Sequence, residues 1–421
     1  MKRYPFLQEF TNRSKQVIAG GSQLLSKKPE MFAPDLYPSH YRRAKGCTIW
    51  DVNNVQYTDF SHMSVGCCLL GYADDFVNIA VCDAAENGSI SSLSSALEVE
   101  LAEEMIKIHR WADMARFAKT GGEAMAIAIR LARAASGRDK VLFCGYHGWQ
   151  DWYASAGIDG ISDRGVPRVL KGTSIPFKFN DVKGFLRLIS KYNKQVGTIV
   201  IEPVRYEEPT ANFVNTIQDV CKKLNIVFIV DEITSGFRFG YGGAHLRYNI
   251  QPDIAVFGKA MSNGYPMACV IGKKWVMREA DNCFISSTYW TDAVGLAASI
   301  ATLMKLKSNS VAQYIDMTGA VIKELWEDVS TETGVPIKIF GLNQLPYFEF
   351  ENDESRKRKT LFTQLMLEHK ILAYTHFYPS LAHKVQDMIK YSNAFKDTFK
   401  QIKAGAKLKG RVCEIPFKRY T

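Results

Sequence analysis

The chain of 421 residues lacks the signals that would place it in a membrane, on a secretory route or in a fibrous class. It contains no run of about 18 uncharged apolar residues, so no transmembrane helix is expected. Its first residues, MKRYPFLQEFTNRSKQ, lack the apolar stretch of a secretory signal. No fixed-period repeat, low-complexity stretch or long linker occurs either. We therefore expect a soluble, globular protein of the cytoplasm.

The cysteines lack the spacing of a zinc site. Nine are present, which is an odd number in a long chain, and no C-x-x-C pair occurs among them. This pattern argues against a disulfide framework and indicates reduced thiols in a reducing compartment. We predict no structural or catalytic metal.

Positive charge is in moderate excess, with 53 Lys and Arg against 43 Asp and Glu and a formal net charge of +10. Such an excess is a feature of many proteins that bind polyanions. Here the densest basic clusters, residues 356–359 and 400–418, lie far in sequence from any aromatic stacking motif. We interpret them as a solvated surface and predict neither a nucleic acid nor a membrane as a partner.

Apolar residues are plentiful, at 47% of the chain, and they occur in two alternating patterns. Stretches 95–109 and 123–135 repeat apolar side chains every three or four positions, as amphipathic helices do. Short apolar runs typical of buried parallel strands lie at residues 140–144, 198–201, 226–230, 254–257 and 268–271. This alternation predicts an α/β fold with a mainly parallel sheet covered by helices on both faces.

The pattern changes near residue 295 and suggests a second, smaller α+β unit. It continues with two long helical stretches, a short strand and a terminal helix, at residues 295–307, 311–328, 346–350 and 384–403. The first 45 residues are rich in turns, and we expect them to pack on the smaller unit without forming a core. The predicted division is an N-terminal segment 1–45, a large domain 46–295 and a small domain 296–421.

Thr120-Gly121-Gly122 opens one of the predicted helices after a short apolar run. Two glycines allow a ligand to approach the backbone closely, and the free N–H groups and positive dipole end of a helix start attract an anion. The plainer alternative is a turn with Thr120 as the helix N-cap, which on this fragment alone ranks higher. The segment is neither a Walker A loop nor a dinucleotide fingerprint.

Two further residues emerge from the ends of buried strands. Asp231 follows the apolar run IVFIV, and Lys259 follows the run IAVF after one glycine. The plainer alternatives are a helix-capping aspartate and a surface lysine. Ligands of open α/β sheets bind at the carboxyl ends of the strands, where a carboxylate needs a cationic partner or several donors. An amine that is desolvated at such a position becomes a nucleophile toward carbonyl groups.

Pyridoxal phosphate (PLP) requires these three groups together: an anion site for its phosphate, a carboxylate for its pyridine nitrogen and an amine for its aldehyde. The aspartate would keep the ring nitrogen protonated, so that the ring accepts electrons from the substrate Cα. Tyr146 follows the run KVLFC and offers an aromatic face to the ring. We predict PLP as the cofactor.

Six short strings, in this order and spacing, resemble the class III aminotransferases. They are TGGEA (120–124), YHG (146–148), IEPV (201–204), DEITSGFR (231–238), FGKAM (257–261) and STYW (287–290). The similarity extends over nearly the whole chain and points to the glutamate-1-semialdehyde 2,1-aminomutase branch. It implies the fold type I architecture, with a seven-stranded, mostly parallel sheet, a small C-terminal domain and a homodimer with shared active sites.

The resemblance also implies roles for single residues. Lys259 would be the Schiff-base lysine and would move the proton between the substrate Cα and the cofactor C4′, while Asp231 would face the pyridine nitrogen. His147 matches its motif, and a structural role is equally open for it. The other positions expected to bind the cofactor are Thr120, Gly121 and Gly122 at the phosphate, Tyr146 and Ile233 on the two ring faces, Glu202 near the ring hydroxyl, and Thr288 from the neighbouring subunit.

The departures from the family concern mainly the substrate. Gly122 stands where the family usually has threonine, so one hydroxyl contact to the phosphate is lost, and we expect Thr120 to supply one instead. Residues 20–27 contain no arginine for a substrate carboxylate, and the gating glutamate expected near residues 375–376 is absent. These changes argue against glutamate-1-semialdehyde as the substrate. The candidate substrate contacts are Lys27, Trp149, Tyr153, Arg205, Trp290 and His376.

We therefore predict a PLP-dependent aminotransferase that moves an amino group from an amino acid to a keto or aldehyde acceptor. Residues 289–292 (YWTD) resemble members from sugar and surface-polysaccharide pathways, which suggests a carbohydrate-derived acceptor. Two alternatives stay open: an aminomutase or other isomerase with the same cofactor, and a polyanion binder that kept the fold but lost catalysis. The intact Lys259 and Asp231 argue against the second alternative.

Overall fold

The computed structural model describes residues 5–158, 161–204, 206–351 and 354–414. Its helices are α1 (Pro5–Val17), α2 (Met63–Gly66), α3 (Asp75–Glu86), α4 (Ala96–Ile108), α5 (Gly121–Ser136), α6 (Asp151–Ala154), α7 (Val182–Tyr192), α8 (Ala211–Leu224), α9 (Ala244–Arg247), α10 (Lys274–Met277), α11 (Ala293–Ser308), α12 (Val311–Thr333), α13 (Ser355–Glu368) and α14 (Val385–Lys403). Its strands are β1 (Tyr41–Lys45), β2 (Thr48–Asp51), β3 (Gln56–Phe60), β4 (Met114–Ala118), β5 (Lys140–Cys144), β6 (Ser174–Pro176), β7 (Val196–Ile201), β8 (Val227–Asp231), β9 (Ile254–Phe257), β10 (Ala268–Gly272), β11 (Ile337–Phe340), β12 (Tyr347–Phe350) and β13 (Ile371–Ala373). None of these described helices is both long and apolar enough to span a membrane.

The chain divides into two compact units. Of the described residues, the first unit combines those up to Asp74 with residues 313–414, and the second is Asp75–Ala312. The first unit contains a four-stranded sheet in the order β1-β2-β3-β13, with β13 parallel to β3, and the separate antiparallel pair β11–β12. The chain passes from one compact unit to the other after residues 74 and 312. The predicted domain boundaries at residues 45 and 295 stay a prediction.

The second unit contains a seven-stranded sheet in the order β4-β10-β9-β8-β7-β5-β6. Strand β10 is antiparallel to both of its neighbours, and the pairs β9–β8, β8–β7, β7–β5 and β5–β6 are parallel. The predicted α/β fold with a mostly parallel, seven-stranded sheet is therefore confirmed.

Both faces of this sheet are covered, as the unbroken apolar runs indicated. Val141 and Phe143 of β5 belong to the cluster that includes the buried face of α5. Leu142 and Cys144 point to the opposite cluster, which also holds apolar side chains of α7 and α8. Because side chains alternate along a strand, a strand buried on both faces needs apolar residues at every position. The sheet edge is consequently where polar side chains can lie.

The N-terminal part of the chain differs from the expectation of a turn-rich segment. Residues Pro5–Val17 form a helix of 13 residues, and β1, β2 and β3 follow it as an antiparallel series. The helix carries no acidic residue in its first turn, so its sequence shows little of the usual start signal. Strands β1 and β2 are short and only partly buried, which weakens their apolar pattern.

Candidate active site

Five loops of the second unit meet at the carboxyl edge of the seven-stranded sheet. The parallel strands β5, β7, β8 and β9 end here and are followed by residues 145–148, by Glu202, by the loop after Asp231 and by Lys259. Strand β4 is antiparallel to β10, which is itself antiparallel to β9, so β4 runs with the others and carries Thr120 to the same edge. The prediction that the glycine segment, the aspartate and the lysine share one edge of one sheet is confirmed.

Asp231 and His147 form a buried pair. His147 Nδ1 lies 2.7 Å from Asp231 Oδ2, and His147 Nε2 lies 3.1 Å from the carbonyl oxygen of Cys144. Both ring nitrogens therefore face acceptors, and an imidazole donates from both only when it is protonated. The backbone N–H of Ile233 donates to the other carboxylate oxygen at 3.0 Å. The Asp231 carboxylate is therefore held from two sides, by the His147 ring and by the Ile233 backbone.

Burial dominates the protonation of this aspartate. Desolvation raises the pKa of Asp231, the hydrogen bond and positive charge of His147 oppose that rise, and the nearby Glu202 carboxylate adds to it. The pKa stays above its ordinary value, which means that the partners within the protein do not fully stabilise the negative charge. A protonated pyridine nitrogen at this position would supply the missing positive charge.

Glu202 holds the turn that carries the aromatic ring of Tyr146. Its Oε2 accepts a hydrogen bond from the Tyr146 backbone N–H at 2.9 Å. Gly145 precedes that residue with φ of +114°, and a Cβ there would lie 2.7 Å from the same oxygen. The glycine is thus required for the carboxylate to reach the backbone. The hydroxyl of Tyr153 donates to the carbonyl oxygen of Gly145 at 2.9 Å and braces the turn from its buried side.

Lys259 has a strained backbone. It is the first residue of a 3-10 turn, Lys259–Ser262, and its φ is +46°, a region that non-glycine residues rarely adopt. A conformation of this kind costs about 1–3 kcal/mol and persists where the surroundings enforce it, often at functional sites. The Nζ donates a hydrogen bond to Oγ1 of the buried Thr234 at 2.8 Å. The ammonium is therefore aimed at the loop after Asp231.

The start of α5 is built by a capping box. Thr120 is the N-cap: its Oγ1 accepts from the Glu123 backbone N–H at 3.3 Å and donates to Glu123 Oε2 at 3.0 Å. The Thr120 backbone N–H donates to the same carboxylate oxygen at 2.8 Å. In this structure the Thr120 hydroxyl donates to Glu123, and its expected contact with a phosphate stays a prediction. The N–H groups of Gly121 and Gly122 are the donors that remain at this helix start.

Ile233 joins the glycine segment to the loop of the lysine. A Cβ at Gly121 would lie 2.8 Å from Ile233 Cδ1, and a Cβ at Gly258 would lie 3.6 Å from Ile233 Cγ2. The isoleucine thus lies against the helix start and against the residue that precedes Lys259. These contacts bring together a glycine-rich helix start, an apolar side chain, an amine and a buried acid. The donor set fits PLP.

The predicted substrate contacts occupy different surroundings. Arg205 lies outside the described residues. Lys27, in a 3-10 turn, and His376, which stacks on Tyr347 and Tyr374, belong to the first unit. Trp149 is exposed, Tyr153 is fully buried and Trp290 is half-buried, and all three belong to the second unit. Contact of any of these residues with a substrate stays a prediction.

Thr288, predicted to reach a neighbouring subunit, begins the exposed 3-10 turn Thr288–Thr291. Two arginines hold the segment before it, since Arg130 donates to the carbonyl oxygen of Phe284 at 2.8 Å and Arg116 donates to that of Ile285. The turn is therefore anchored to the second unit while the threonine faces outward.

Sequence reasoning missed two side chains at this edge, Thr234 and Gln150. Thr234 lies inside the string DEITSGFR, between Ser235 and Ile233, the residue predicted to contact the ring. The available signal was a hydroxyl directly beside that predicted contact. Gln150 follows the string YHG by two residues, and its carboxamide lies against Gly122. The signal for Gln150 was Gly122, because a glycine leaves space that the side chain of a neighbouring loop can fill.

Comparison with known proteins identifies the family. Residues 33–381 match the family model described as aminotransferase class-III. The chain is 29% identical to a 3-aminobutyryl-CoA aminotransferase of Cloacimonas acidaminovorans, covering 93% of this chain and 95% of that protein. It is also 29% identical to a glutamate-1-semialdehyde 2,1-aminomutase of Sulfurihydrogenibium sp. (strain YO3AOP1), covering 94% and 98%.

A solved structure agrees with this assignment. The FumI protein of Sphingopyxis sp. MTA144, in its PLP internal aldimine form, has a TM-score of 0.88 and 25% identity to this chain. The similarity covers 96% of this chain and 98% of that one. From the sheet edge, the family match and this neighbour, we conclude that the chain belongs to the class III aminotransferases and is a PLP-dependent aminotransferase of fold type I.

Proposed function

We propose that this enzyme transfers an amino group from an amino acid donor to a keto or aldehyde acceptor, with Lys259 and Asp231 as its catalytic residues. The observation that carries the proposal is the placement of Lys259, on a strained turn and hydrogen-bonded to Thr234, at the same sheet edge as the Asp231–His147 pair. When bound, PLP supplies the electron sink that makes the substrate Cα proton acidic.

The residues of the chain divide the remaining work. Lys259 would take the proton from the substrate Cα and deliver it again, because its amine is a base at this edge. Asp231 would hold the protonated pyridine nitrogen, and His147 orients the carboxylate through its hydrogen bond. Tyr146 and Ile233 would lie on the two faces of the ring and exclude water, Glu202 fixes the turn of Tyr146, and Gly121 and Gly122 would bind the phosphate.

The lysine is the sharpest test of this proposal. We expect borohydride treatment of the purified enzyme to fix one pyridoxyl group on Lys259, detected by peptide mass mapping. Lys259→Ala should lose this adduct and about 1,000-fold or more of its turnover, since the chemical step loses its base. Lys274→Ala, a change at an exposed lysine of α10, is the matched control and should retain both properties. Full turnover by Lys259→Ala would refute the proposal.

An aminomutase is the second candidate, because an aminomutase matches over nearly the full length of both chains. A mutase needs no external amino donor and returns the amine to the same carbon skeleton. Single-turnover assays with an isotopically labelled donor separate the two functions: transfer of the donor nitrogen to a second molecule supports the transaminase. A carbohydrate-derived acceptor, suggested by residues 289–292, and a cytoplasmic location stay predictions from the sequence.

We also propose that the enzyme acts as a homodimer with shared active sites, to which Thr288 contributes across the interface. The outward-facing threonine on an anchored turn supports this arrangement. Large apolar side chains on α3, α4 and the segment between them support it as well, since Ile79, Leu93 and Val99 are all mostly exposed.

A further inference from the structure

The predicted phosphate site at the start of α5 has fewer side-chain donors than the sequence analysis predicted. Gly122 supplies no hydroxyl, and the hydroxyl of Thr120 already donates to Glu123. Two backbone N–H groups, those of Gly121 and Gly122, remain at the positive end of the helix. A phosphate carries several acceptor oxygens and is held tightly where more donors converge.

The carboxamide of Gln150 lies directly over this helix start. A Cβ placed on Gly122 would overlap Gln150 Nε2 and would lie 2.5 Å from its Oε1. A Cβ placed on Gly148 would lie 2.5 Å from the same Oε1, and 3.3 Å from the Cα of Gly122. The carboxamide thus fills the space that side chains at both glycines would need.

The orientation of this carboxamide follows from its hydrogen bonding. Its Oε1 accepts a hydrogen bond from the backbone N–H of Trp149 at 3.2 Å, which fixes the position of the oxygen. The Nε2, which carries two N–H donors, is the end nearest to Gly122. The backbone is fixed as well, because the carbonyl oxygen of Gln150 accepts from the N–H groups of Tyr153 and Ala154 at 2.9 and 3.0 Å.

We propose that Gln150 is a phosphate-binding residue of this enzyme and that its Nε2 donates to the PLP phosphate at the start of α5. The side chain takes the place of the hydroxyl that a threonine at position 122 would provide. Gly122 and Gln150 form a coupled pair, because a larger residue at 122 would displace the carboxamide. This inference rests on the PLP site proposed above and adds a residue that neither motif nor capping pattern indicated.

The test compares PLP with pyridoxal, which lacks the phosphate, in binding titrations of the cofactor-free protein followed by intrinsic fluorescence. We expect Gln150→Ala to raise the Kd for PLP by about tenfold, the effect of losing one hydrogen bond to a charged group, and to leave the Kd for pyridoxal unchanged. Gln150→Glu, which has the same shape and a negative charge, should weaken PLP binding by more than Gln150→Ala.

The coupling is tested by a double-mutant cycle. Gly122→Thr alone should weaken PLP binding, because the new side chain overlaps the carboxamide. The double variant Gly122→Thr, Gln150→Ala should bind PLP more tightly than the two separate losses predict, since the threonine hydroxyl then has room. Unchanged PLP binding by Gln150→Ala, equal losses for PLP and pyridoxal, or strict additivity would each overturn the inference.

Failure of this inference is distinguishable from failure of the proposed function. Wild-type protein that forms the borohydride-fixed adduct on Lys259 retains its proposed chemistry whatever Gln150 contributes. Retention of pyridoxal binding by the Gln150 variants shows at the same time that they are folded.

Discussion

At the scale of single residues, one hydrogen bond joins Lys259, whose backbone is strained, to the hydroxyl of Thr234. The lysine adopts a positive φ, and its Nζ donates to the hydroxyl of Thr234 across 25 residues of sequence. Thr234 is buried, so this hydroxyl is held in place and poorly solvated. We infer that it positions the amine of Lys259 whenever that amine is not bound to the cofactor.

Removal of this hydroxyl is expected to slow the enzyme. Thr234→Val keeps the side-chain volume but removes the acceptor, and a hydrogen bond to a charged group contributes about 1.5–3 kcal/mol. We expect kcat/KM to fall by about tenfold or more in steady-state assays.

Thr234→Ser is the matched control, because it retains the hydroxyl and loses only a methyl group. Its kcat/KM should stay within about threefold of wild type. Equal losses in the valine and serine variants would show that the shape of the side chain, and not the hydrogen bond, is what Lys259 requires.

At the scale of a single element, the loop between β8 and α9 is closed by a buried carboxylate. Glu232 Oε1 accepts from the backbone N–H and the Nδ1 of His245 at 2.6 and 2.7 Å, and its Oε2 accepts from Ser235 Oγ at 2.5 Å. The Trp111 indole N–H donates to His245 Nε2 at 3.1 Å, so each ring nitrogen of His245 has a partner in the network. This network ties both ends of the loop that bears Ile233 and Thr234.

The network predicts a pH-dependent contribution to stability. Burial raises the pKa of Glu232, but the donors of His245 and Ser235 outweigh burial and leave the pKa below its ordinary value. A group whose folded-state pKa is lowered stabilises the protein above its unfolded pKa, and that stabilisation is lost as the pH falls through the folded pKa. Glu232→Gln turns one acceptor into a donor that faces another donor, which costs about 1–3 kcal/mol.

Chemical denaturation at pH 7, 5, 4 and 3.5 measures this contribution. We expect the difference in unfolding free energy between wild type and Glu232→Gln to be constant at pH 7 and 5 and to shrink at pH 4 and 3.5. Glu104→Gln is the matched control, because the contacts of this half-buried carboxylate among the described residues are a long one of 3.5 Å with the hydroxyl of Tyr241 and an ion pair with Lys107. A pH-independent difference for Glu232→Gln would contradict the assignment.

For the molecule as a whole, an apolar helical layer of the second unit remains exposed. Helix α11 packs against α3 and α4 through small side chains, among them Ala84, Ala293 and Ala297. On the same elements and the segment between α3 and α4, Ile79 is 70% exposed and Leu93 is 81% exposed. Exposed apolar surface of this kind marks an interface, and a second copy of the chain is the partner that we propose.

Light scattering after size-exclusion chromatography tests this proposal. Wild type should elute at twice the chain mass of 47.4 kDa. Leu93→Glu places a charge in the interface and should raise the dimer dissociation constant by at least about tenfold, or 1.4 kcal/mol. Val169→Glu, at a residue that is 85% exposed outside this layer, should leave the dimer intact. A monomeric wild type, or equal dissociation by both variants, would count against the proposed interface.

The sheet was predictable from the sequence because its strands are buried on both faces. The runs 140–144 and 254–257 coincide with β5 and β9, and the run 226–230 differs from β8 by one residue at each end. Strands β1 and β2, by contrast, are mostly exposed or half-buried and contain charged residues. Their apolar pattern was therefore too weak to predict a strand. Helix α1 was not predicted because its first turn carries no acidic residue, and the proline that begins it was not recognised as a start signal.

The sequence by itself determined the fold class, the cofactor and the order of the site loops, because apolar periodicity and strand-end residues are local properties of the chain. The tertiary structure alone decided how the side chains share their hydrogen bonds. It committed the Thr120 hydroxyl to Glu123, placed the Gln150 carboxamide over Gly122 and joined Lys259 to Thr234. Such choices depend on which donors and acceptors meet in space, and residues from several loops meet only when the sheet has aligned the ends of its strands.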